Sequence, residues 1–567
     1  MYFVALAVDY DGTLAKDGRV DAATVEALKD VKRSGRKLIL VTGRELPDLQ
    51  RCFPELDLFD IVVAENGALL FNPAKKEETL LVDPPSPAFV ARLRELGVSP
   101  LSIGRSIVAT WEPNETAVLA AIRDLGLELH IIFNKGAVMV LPGNVNKAWG
   151  LKRALKPLCL SLHNVVGIGD AENDQAFLSA CGCAVAVDNA LPSVKAKADF
   201  VVAGHGAGVI ELARKLIDTD LLSAELRIPK VQPVLGLKGD QPVYLSPFET
   251  TLIAGSSGGG KSTIVTALLE QMRELGFQFC VVDPEGDYSE LTDAVVIGDV
   301  KQEPRISEAM GLLANPDVSV VVNLLAIDPP ERPRFLAGFL PDLAKLRAET
   351  GRPHWIILDE THHCLPANWD AAPVTLPQKL PAAIAVTVHP EEISEDFLEL
   401  VSNVVGVGDA SLTAISKFCK AVGVDEPKGP TDRLQPYQVH RWTREGAIET
   451  IAIAKPKERQ KRHARKYADG HLGEDKSFYF RGPQAALNLR AQNLSTFLQL
   501  AEGVDDATWM HHLQAQEYSQ WFREAIKDAE LASEASAVEG DTSLSPTDSR
   551  AKIKEMIDRR YTAPAKD

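Results

Sequence analysis

Short apolar runs alternate with amphipathic stretches from the first residues onward. Residues 3–8 are apolar throughout and predict a buried strand that ends in Asp9-Tyr10-Asp11-Gly12-Thr13. Residues 21–34 carry Val25, Leu28 and Val31 on one helical face, and Gly35 stops the pattern. The same strand-to-turn form returns at 37–41, 61–64 and 165–168. These runs end in Thr42-Gly43-Arg44, Glu65-Asn66-Gly67-Ala68 and Gly169-Asp170-Ala171-Glu172-Asn173-Asp174. Such alternation predicts an α/β fold with a parallel sheet, whose ligands gather at the carboxyl ends of the strands. Between Gly67 and about Asn144 the elements become shorter (106–111, 115–125, 137–141), which predicts an inserted α+β module.

A second α/β pattern follows a boundary at 218–224 and a Pro- and Gly-containing connector at 229–245. Strands are expected at 251–254, 278–282, 318–325, 354–358 and 382–388, with helices at 264–275 and 332–350. Further on, a basic run at 455–466 reads as a solvated linker or exposed helix. Leu487, Leu494, Leu498 and Leu500 have helical spacing, and Trp509, Leu513, Tyr518, Trp521 and Phe522 fill a small α-helical C-terminal region. The Ser-, Glu- and Thr-rich stretch 533–547 reads as a linker before a last helix at 549–560. The expected division is 1–215, with an insert at about 67–145, then 225–450, and a basic linker with helical domain at 451–567.

Composition narrows the class without naming an activity. A chain of 567 residues with 45% hydrophobic and 25% charged residues is ordinary for soluble protein of several domains. It has no apolar run of membrane-spanning length and no basic leader before an apolar segment, so no membrane contact and a cytoplasmic location are expected. Seven scattered cysteines read as buried thiols in a reducing compartment. A net charge of -17 argues against broad attraction to nucleic acid, although a local basic stripe stays open.

The strand ends carry the chemistry. Asp9 and Asp11 point to one side if the strand geometry persists, and two such carboxylates repel unless a cation or a shared proton intervenes. Thr42 offers a hydroxyl beside free backbone N–H groups, Lys147 a cation at a helix start, and Asp170, Asn173 and Asp174 a second acidic strand end. In this order the set resembles the haloacid dehalogenase superfamily, more narrowly its type IIB branch of Cof-like, sugar-phosphate and phosphoglycolate phosphatases. Glu65-Asn66-Gly67-Ala68, the stretch Val185-Ala186-Val187-Asp188-Asn189-Ala190 and residues 195–199 add to the likeness. The resemblance implies a Rossmann-like core with the insert as its cap. It also implies Asp9 as nucleophile, Asp11 as acid and base, and Thr42 and Lys147 as holders of phosphoryl oxygens. Mg²⁺ would be bound by Asp9, the Asp11 carbonyl and Asp170, with Asp174 and Asn173 supporting that shell.

The second pattern contains Gly255-Ser256-Ser257-Gly258-Gly259-Gly260-Lys261-Ser262-Thr263 between a strand and a helix, which meets the P-loop requirement. Backbone N–H groups between Gly255 and Gly260 would wrap phosphates, Lys261 would reach the terminal ones, and Ser262, followed by Thr263, would offer its hydroxyl to Mg²⁺. The strand at 354–358 ends in Asp359 and Glu360, suited to holding Mg²⁺ through water and to orienting an attacking water. His389 stands where a residue could sense the γ-phosphate, while His362, His363, His511 and His512 read as structural. With Asp283-Pro284-Glu285-Gly286-Asp287-Tyr288, this set resembles the HerA/FtsK superfamily of P-loop ATPases, which implies a RecA-like fold and ATP as ligand. It departs from that pattern at His389, and no arginine finger is assignable.

The expected function is Mg²⁺-dependent hydrolysis of a small phosphorylated metabolite, fused to an ATPase that regulates it. The alternative is an ATP-driven nucleic-acid or protein remodelling motor with an accessory phosphatase. A homo-oligomer formed through the ATPase domain stays open.

Overall fold

A computed structural model describes the chain except residues 135, 222–231, 368–378, 430–433, 445, 454–471, 473–475, 527 and 562–567. The basic run expected at 455–466 lies outside the described residues.

The first sheet has eight strands, in the order Phe200–Val202, Cys183–Val187, Val165–Gly169, Ala5–Asp9, Lys37–Val41, Ile61–Ala64, Leu69–Asn72 and Glu77–Leu80. The first six are mutually parallel and the last two join antiparallel at one edge. Ala5–Asp9, in the middle, is buried along its whole length, which is why its sequence is apolar without alternation. Helix Ala22–Arg33 starts where the Asp21 carboxylate accepts the Thr24 N–H, and it ends with Lys32 and Arg33 in its last turn. In helix Lys147–Leu155, Asn146 caps the Trp149 N–H and thereby fixes Lys147 at the first helical position.

The insert is a four-stranded antiparallel sheet, ordered Ser102–Ile103, Val108–Trp111, Ala137–Pro142, Leu129–Asn134, with helices Pro87–Glu95 and Glu115–Asp124. It has its own small core around Phe89, Leu93, Val118 and Val138.

A second sheet of eleven strands surrounds the P-loop strand Thr250–Gly255, which lies between Val401–Val407 and Ala383–Thr387. Trp355–Leu358, Phe279–Asp283, Ser319–Asn323 and Ala294–Ile297 continue the parallel part. The region expected to be a plain connector instead contributes the hairpin Val234–Lys238 and Gln241–Tyr244, which extends this sheet against Glu449–Ile453. Leu235 and Leu245 are buried there, and that burial rewards pairing over a loop.

The C-terminal region is a helical unit with one small hairpin, Phe478–Phe480 against Leu489–Ala491. Trp509, Leu513, Tyr518, Trp521 and Phe522 are in its core. The stretch read as a linker from residue 533 is largely helix: Ala529–Gly540 buries Leu531, Ala532, Ala535 and Val538, and the last helix is Pro546–Tyr561. Among the described residues no helix is long and apolar enough to cross a membrane.

The amino ends of strands from the two large sheets meet in a buried polar joint. Asn164, just before Val165–Gly169, donates from Nδ2 to the carbonyls of Tyr2 (2.9 Å) and Gly351 (3.3 Å). Its Oδ1 faces His354 Nε2 at 3.0 Å, while His354 Nδ1 accepts the Gln278 N–H at 2.8 Å. These partners assign His354 as the neutral Nε2–H tautomer. His163 stacks on Phe277 at 4.2 Å and donates from Nε2 to the Leu275 carbonyl, and Arg352 donates to the Cys159 carbonyl.

Candidate active sites

The carboxyl edge of the first sheet gathers side chains from distant segments. Lys147 Nζ, buried, donates to Asp9 Oδ1 at 2.6 Å and to Asp174 Oδ1 at 2.5 Å. Asp174 Oδ2 accepts the N–H groups of Asp170 and Ala171, both at 2.9 Å, and so shapes the loop that presents Asp170. One carboxylate oxygen from each of Asp9, Asp170 and Asp174 lies within 4.8 Å of the others. Three buried hard oxygens around one point fit a divalent cation such as Mg²⁺. Both Asp174 oxygens have other work, which fits it to support the cluster more than to ligate.

Electrostatics agree with a site built for charge. Burial, and then Asp174, push the Asp9 carboxyl well above the ordinary range, with Lys147 opposing them. Burial alone would lower Lys147, but Asp174 and Asp9 outweigh it and hold the ammonium above its ordinary value. Asp11 stands apart from this cluster. Its two oxygens accept from Arg44 Nη2 and Nε, both at 2.7 Å, and Arg44 also donates to Asp48 at 2.6 Å. Thr42 is buried, and its hydroxyl oxygen accepts the Arg44 N–H at 3.1 Å. A cavity of about 250 Å³ opens between this edge and the cap, lined by Arg44, Asp48, Ile107, Trp111 and Met139 among others.

Sequence reasoning missed several supports. Thr13 Oγ1 approaches Asp170 Oδ1 at 3.5 Å. The Gly12 carbonyl accepts from Asn189 Nδ2 at 2.7 Å and from His205 Nδ1 at 3.0 Å, which fixes the turn after Asp11. Asn189 falls in a stretch that the family resemblance pointed to, whereas His205 carries no local signal.

At the second edge, the P-loop closes on itself. Lys261 Nζ donates to the carbonyls of Gly255 (3.0 Å) and Ser256 (3.1 Å), and Gly260 takes φ +105°, open to glycine, directly before helix Lys261–Glu274. Ser262 and Thr263 follow in the first turn of that helix. Asp359 and Asp283 are buried at the ends of neighbouring strands, and the Asp359 N–H donates to the Val282 carbonyl at 3.1 Å. Asp283 accepts the N–H groups of Glu285, Asp287 and Tyr288 and so folds its own loop. Glu360 has φ +37°, a strained value for a residue with a Cβ. His362 Nδ1 lies 3.1 Å from Thr387 Oγ1 and 3.6 Å from Glu360, and burial and the neighbouring His363 lower it to about 4. His389 is half exposed, its N–H on Thr387 Oγ1. No metal-ligating cluster forms around these histidines among the described residues.

Comparison with known proteins separates the same two regions. The family profile of haloacid dehalogenase-like hydrolases matches residues 6–96 and 120–211, and that of the central domain of the helicase HerA matches 237–344. Phosphoglycolate phosphatase of Methanothermobacter thermautotrophicus is 32% identical over 38% of this chain and 98% of its own length. Phosphoglycolate phosphatase 1 of Saccharolobus solfataricus is 30% identical over 37% of this chain and 94% of its own. Phosphoglycolate phosphatase of Halorubrum lacusprofundi is 32% identical over 35% of this chain and 90% of its own. With an almost complete relative at this identity, and with acids, hydroxyl and lysine at one sheet edge, the chain belongs to the haloacid dehalogenase-like hydrolase family, as a phosphatase that carries a HerA-like ATPase domain.

Proposed function

We propose that the first edge hydrolyses a small phosphorylated metabolite through an aspartyl-phosphate on Asp9. The observation that carries this reading is Lys147, buried between Asp9 and Asp174 beside Asp170. In the first step an Asp9 carboxylate oxygen attacks phosphorus and the ester oxygen leaves with a proton from Asp11. In the second, Asp11 takes a proton from water, which attacks the same phosphorus and frees Asp9 and phosphate. Lys147 and the Thr42 hydroxyl neutralise and hold the nonbridging oxygens. Mg²⁺, held by Asp9, Asp170 and the Asp11 carbonyl with Asp174 behind them, would supply charge neutralisation at the phosphoryl group. For Asp11 to serve as acid, its bidentate hold on Arg44 must loosen as substrate arrives, which makes Arg44 the natural contact for an anionic leaving group. The names of the relatives and the modest cavity favour phosphoglycolate as the first substrate to try.

The second edge binds ATP on the 255–263 loop, with Lys261 on the terminal phosphates, Ser262 and Asp359 toward Mg²⁺, and Glu360 orienting water. On this reading ATP turnover regulates the phosphatase. The HerA match favours one rival, in which remodelling of nucleic acid or protein is the main output. The test is a phosphomonoester panel with Mg²⁺, run with and without ATP on wild type, Asp9→Asn and Lys261→Ala. Phosphate release that survives Asp9→Asn sinks the first reading, and ATP turnover raised several-fold by added DNA would favour the rival.

A further inference from the structure

Residue 65 sits where the core and the cap touch. The strand Ile61–Ala64 ends at the catalytic edge, and the chain then turns through Glu65 (φ +50°), Asn66 (φ +54°) and Gly67 (φ +104°). A Cβ at Gly67 would lie 2.1 Å from the Asn146 carbonyl oxygen, so glycine lets this corner press against the start of the Lys147 helix. The backbone of the corner is tied to the phosphate-binding turn: the Glu65 N–H donates to the Arg44 carbonyl at 3.0 Å and the Asn66 N–H to the Thr42 carbonyl at 3.1 Å.

From this fixed base the Glu65 side chain reaches into the cap. Oε1 accepts the Arg105 N–H at 2.9 Å, and Oε2 accepts the N–H groups of Ser106 (2.7 Å) and Ile107 (3.1 Å). Three successive backbone amides converging on one buried carboxylate form an anion nest, and charge-assisted bonds shielded from water are the strong kind. The loop so held leads into Val108–Trp111, and Ile107, Ala109, Thr110 and Trp111 line the cavity over Arg44. Gly104 completes the fit: a Cβ there would lie 2.9 Å from the Glu65 carboxyl group and 2.6 Å from Ile107.

We propose that Glu65 is a positioning residue for the phosphatase reaction: its carboxylate latches cap loop 104–107 to the phosphate-binding turn and thereby sets the cap wall of the substrate cavity. Glu65 touches no reacting atom. It fixes the distance between the group that chooses the leaving alcohol and the groups that hold the phosphoryl. The inference rests on the phosphatase reading, with phosphoglycolate as its cap-dependent substrate.

The experiment uses the full chain with Glu65→Gln, Glu65→Ala and Gly104→Ala, the last of which disturbs the latch from the cap side with Glu65 intact. Each is assayed on phosphoglycolate and on p-nitrophenyl phosphate, whose activated leaving group needs little from the cap. Backbone hydrogen exchange at 105–107 is measured alongside. The latch predicts kcat/KM on phosphoglycolate falling by about 10²-fold in Glu65→Ala, chiefly through KM, and p-nitrophenyl phosphate turnover staying within about twofold. Glu65→Gln, which keeps one acceptor oxygen, falls between. Exchange at 105–107 quickens by about tenfold or more in all three variants. Unchanged exchange in Glu65→Ala, or equal losses on both esters with the fold intact, overturns the latch. If phosphoglycolate is not turned over by wild type, the substrate reading fails alone, because exchange still reports the latch. If Glu65→Ala does not fold, Glu65→Gln and Gly104→Ala carry the same comparisons.

Discussion

The two catalytic edges of this chain are built on opposite principles. At the phosphatase edge, side chains from segments more than a hundred residues apart neutralise one another in a buried cluster, with Lys147 spanning Asp9 and Asp174. At the P-loop edge the bonds are local, Lys261 donating to carbonyls of its own loop and Asp283, on a neighbouring strand end, accepting N–H groups of its own turn. At the first edge Lys147, Asp9 and Asp174 already hold one another in place, and on the proposed reading only the Asp11–Arg44 pair rearranges. The second must exchange internal bonds for phosphate oxygens before it acts. Rate at the first should therefore depend steeply on single side chains, while the second should respond to ligand through its loop.

The sharpest break in this comparison is Asp9→Asn. It keeps the shape but removes the proposed nucleophile, and phosphate-ester hydrolysis should fall by about 10³-fold or more, with ATP turnover unchanged. A parallel fall in ATP turnover would show that the two edges are not chemically independent. Lys261→Ala is the converse and should lower ATP turnover by about 10²-fold while ester hydrolysis without ATP stays within about twofold. Loss of basal ester hydrolysis in that variant would place the phosphatase under structural control of the loop. Removal of divalent cations is milder in structure than in rate. Chelation should stop ester hydrolysis, and adding Mg²⁺ back should raise the melting temperature of wild type more than that of Asp170→Asn, because three buried carboxylates lose their mutual repulsion.

The same contrast explains what could be read from the sequence. The strand ends of both sheets were legible, since a buried parallel strand is an unbroken apolar run and its candidate site residues follow at once. Asp9, Thr42, Asp170 and Asp359 all occupy such positions. Lys147 was legible from its place at a helix start and from the company it keeps. What local pattern did not carry were contacts made by folding: Arg44 on Asp11, Glu65 on the amides of 105–107, and His205 on Gly12. The misreading of residues 533–547 has a different cause. Ser, Glu and Thr dominate the composition, but Leu531, Ala532, Ala535 and Val538 already have helical spacing, and small apolar side chains suffice where helices pack closely.

The joint between the sheets gave no sequence signal either, although it decides whether the two edges share one body. Each catalytic edge lies about one strand length, roughly 17 Å for five residues, from the joint. The contacts that join them include His163 on Phe277 and Asn164 on His354, with Arg352 on the Cys159 carbonyl and Tyr2 against Phe248. Phe277→Ala removes the stacking partner of His163 and a buried ring, and it should cost about 3 kcal/mol of stability. If the joint unites the domains, thermal unfolding of wild type is a single transition that splits in this variant. Two transitions in wild type would mean that the contact is weaker than its burial implies.

The smallest expected effect is a slope. Burial, against hydrogen bonding from the 275–276 backbone, lowers His163 from the ordinary 6.5 to about 4, and burial with the nearby His163, Arg352 and Arg347 lowers His354 as well. Both rings are therefore neutral in the fold at pH values where the unfolded chain binds protons. A lowered folded-state value means that this contribution to stability is whole above about pH 6.5 and is lost as pH falls toward 4, because the unfolded chain takes up protons that the fold refuses. Below that value the loss levels off as His163 itself charges. Chemical denaturation across this window should show stability declining toward acid, and His163→Phe, which keeps an aromatic ring on Phe277 but cannot titrate, should flatten the decline by up to about 1.4 kcal/mol per pH unit. An unchanged slope would show that His163 is reached by water and that the joint is looser than the stacked, hydrogen-bonded contact described above.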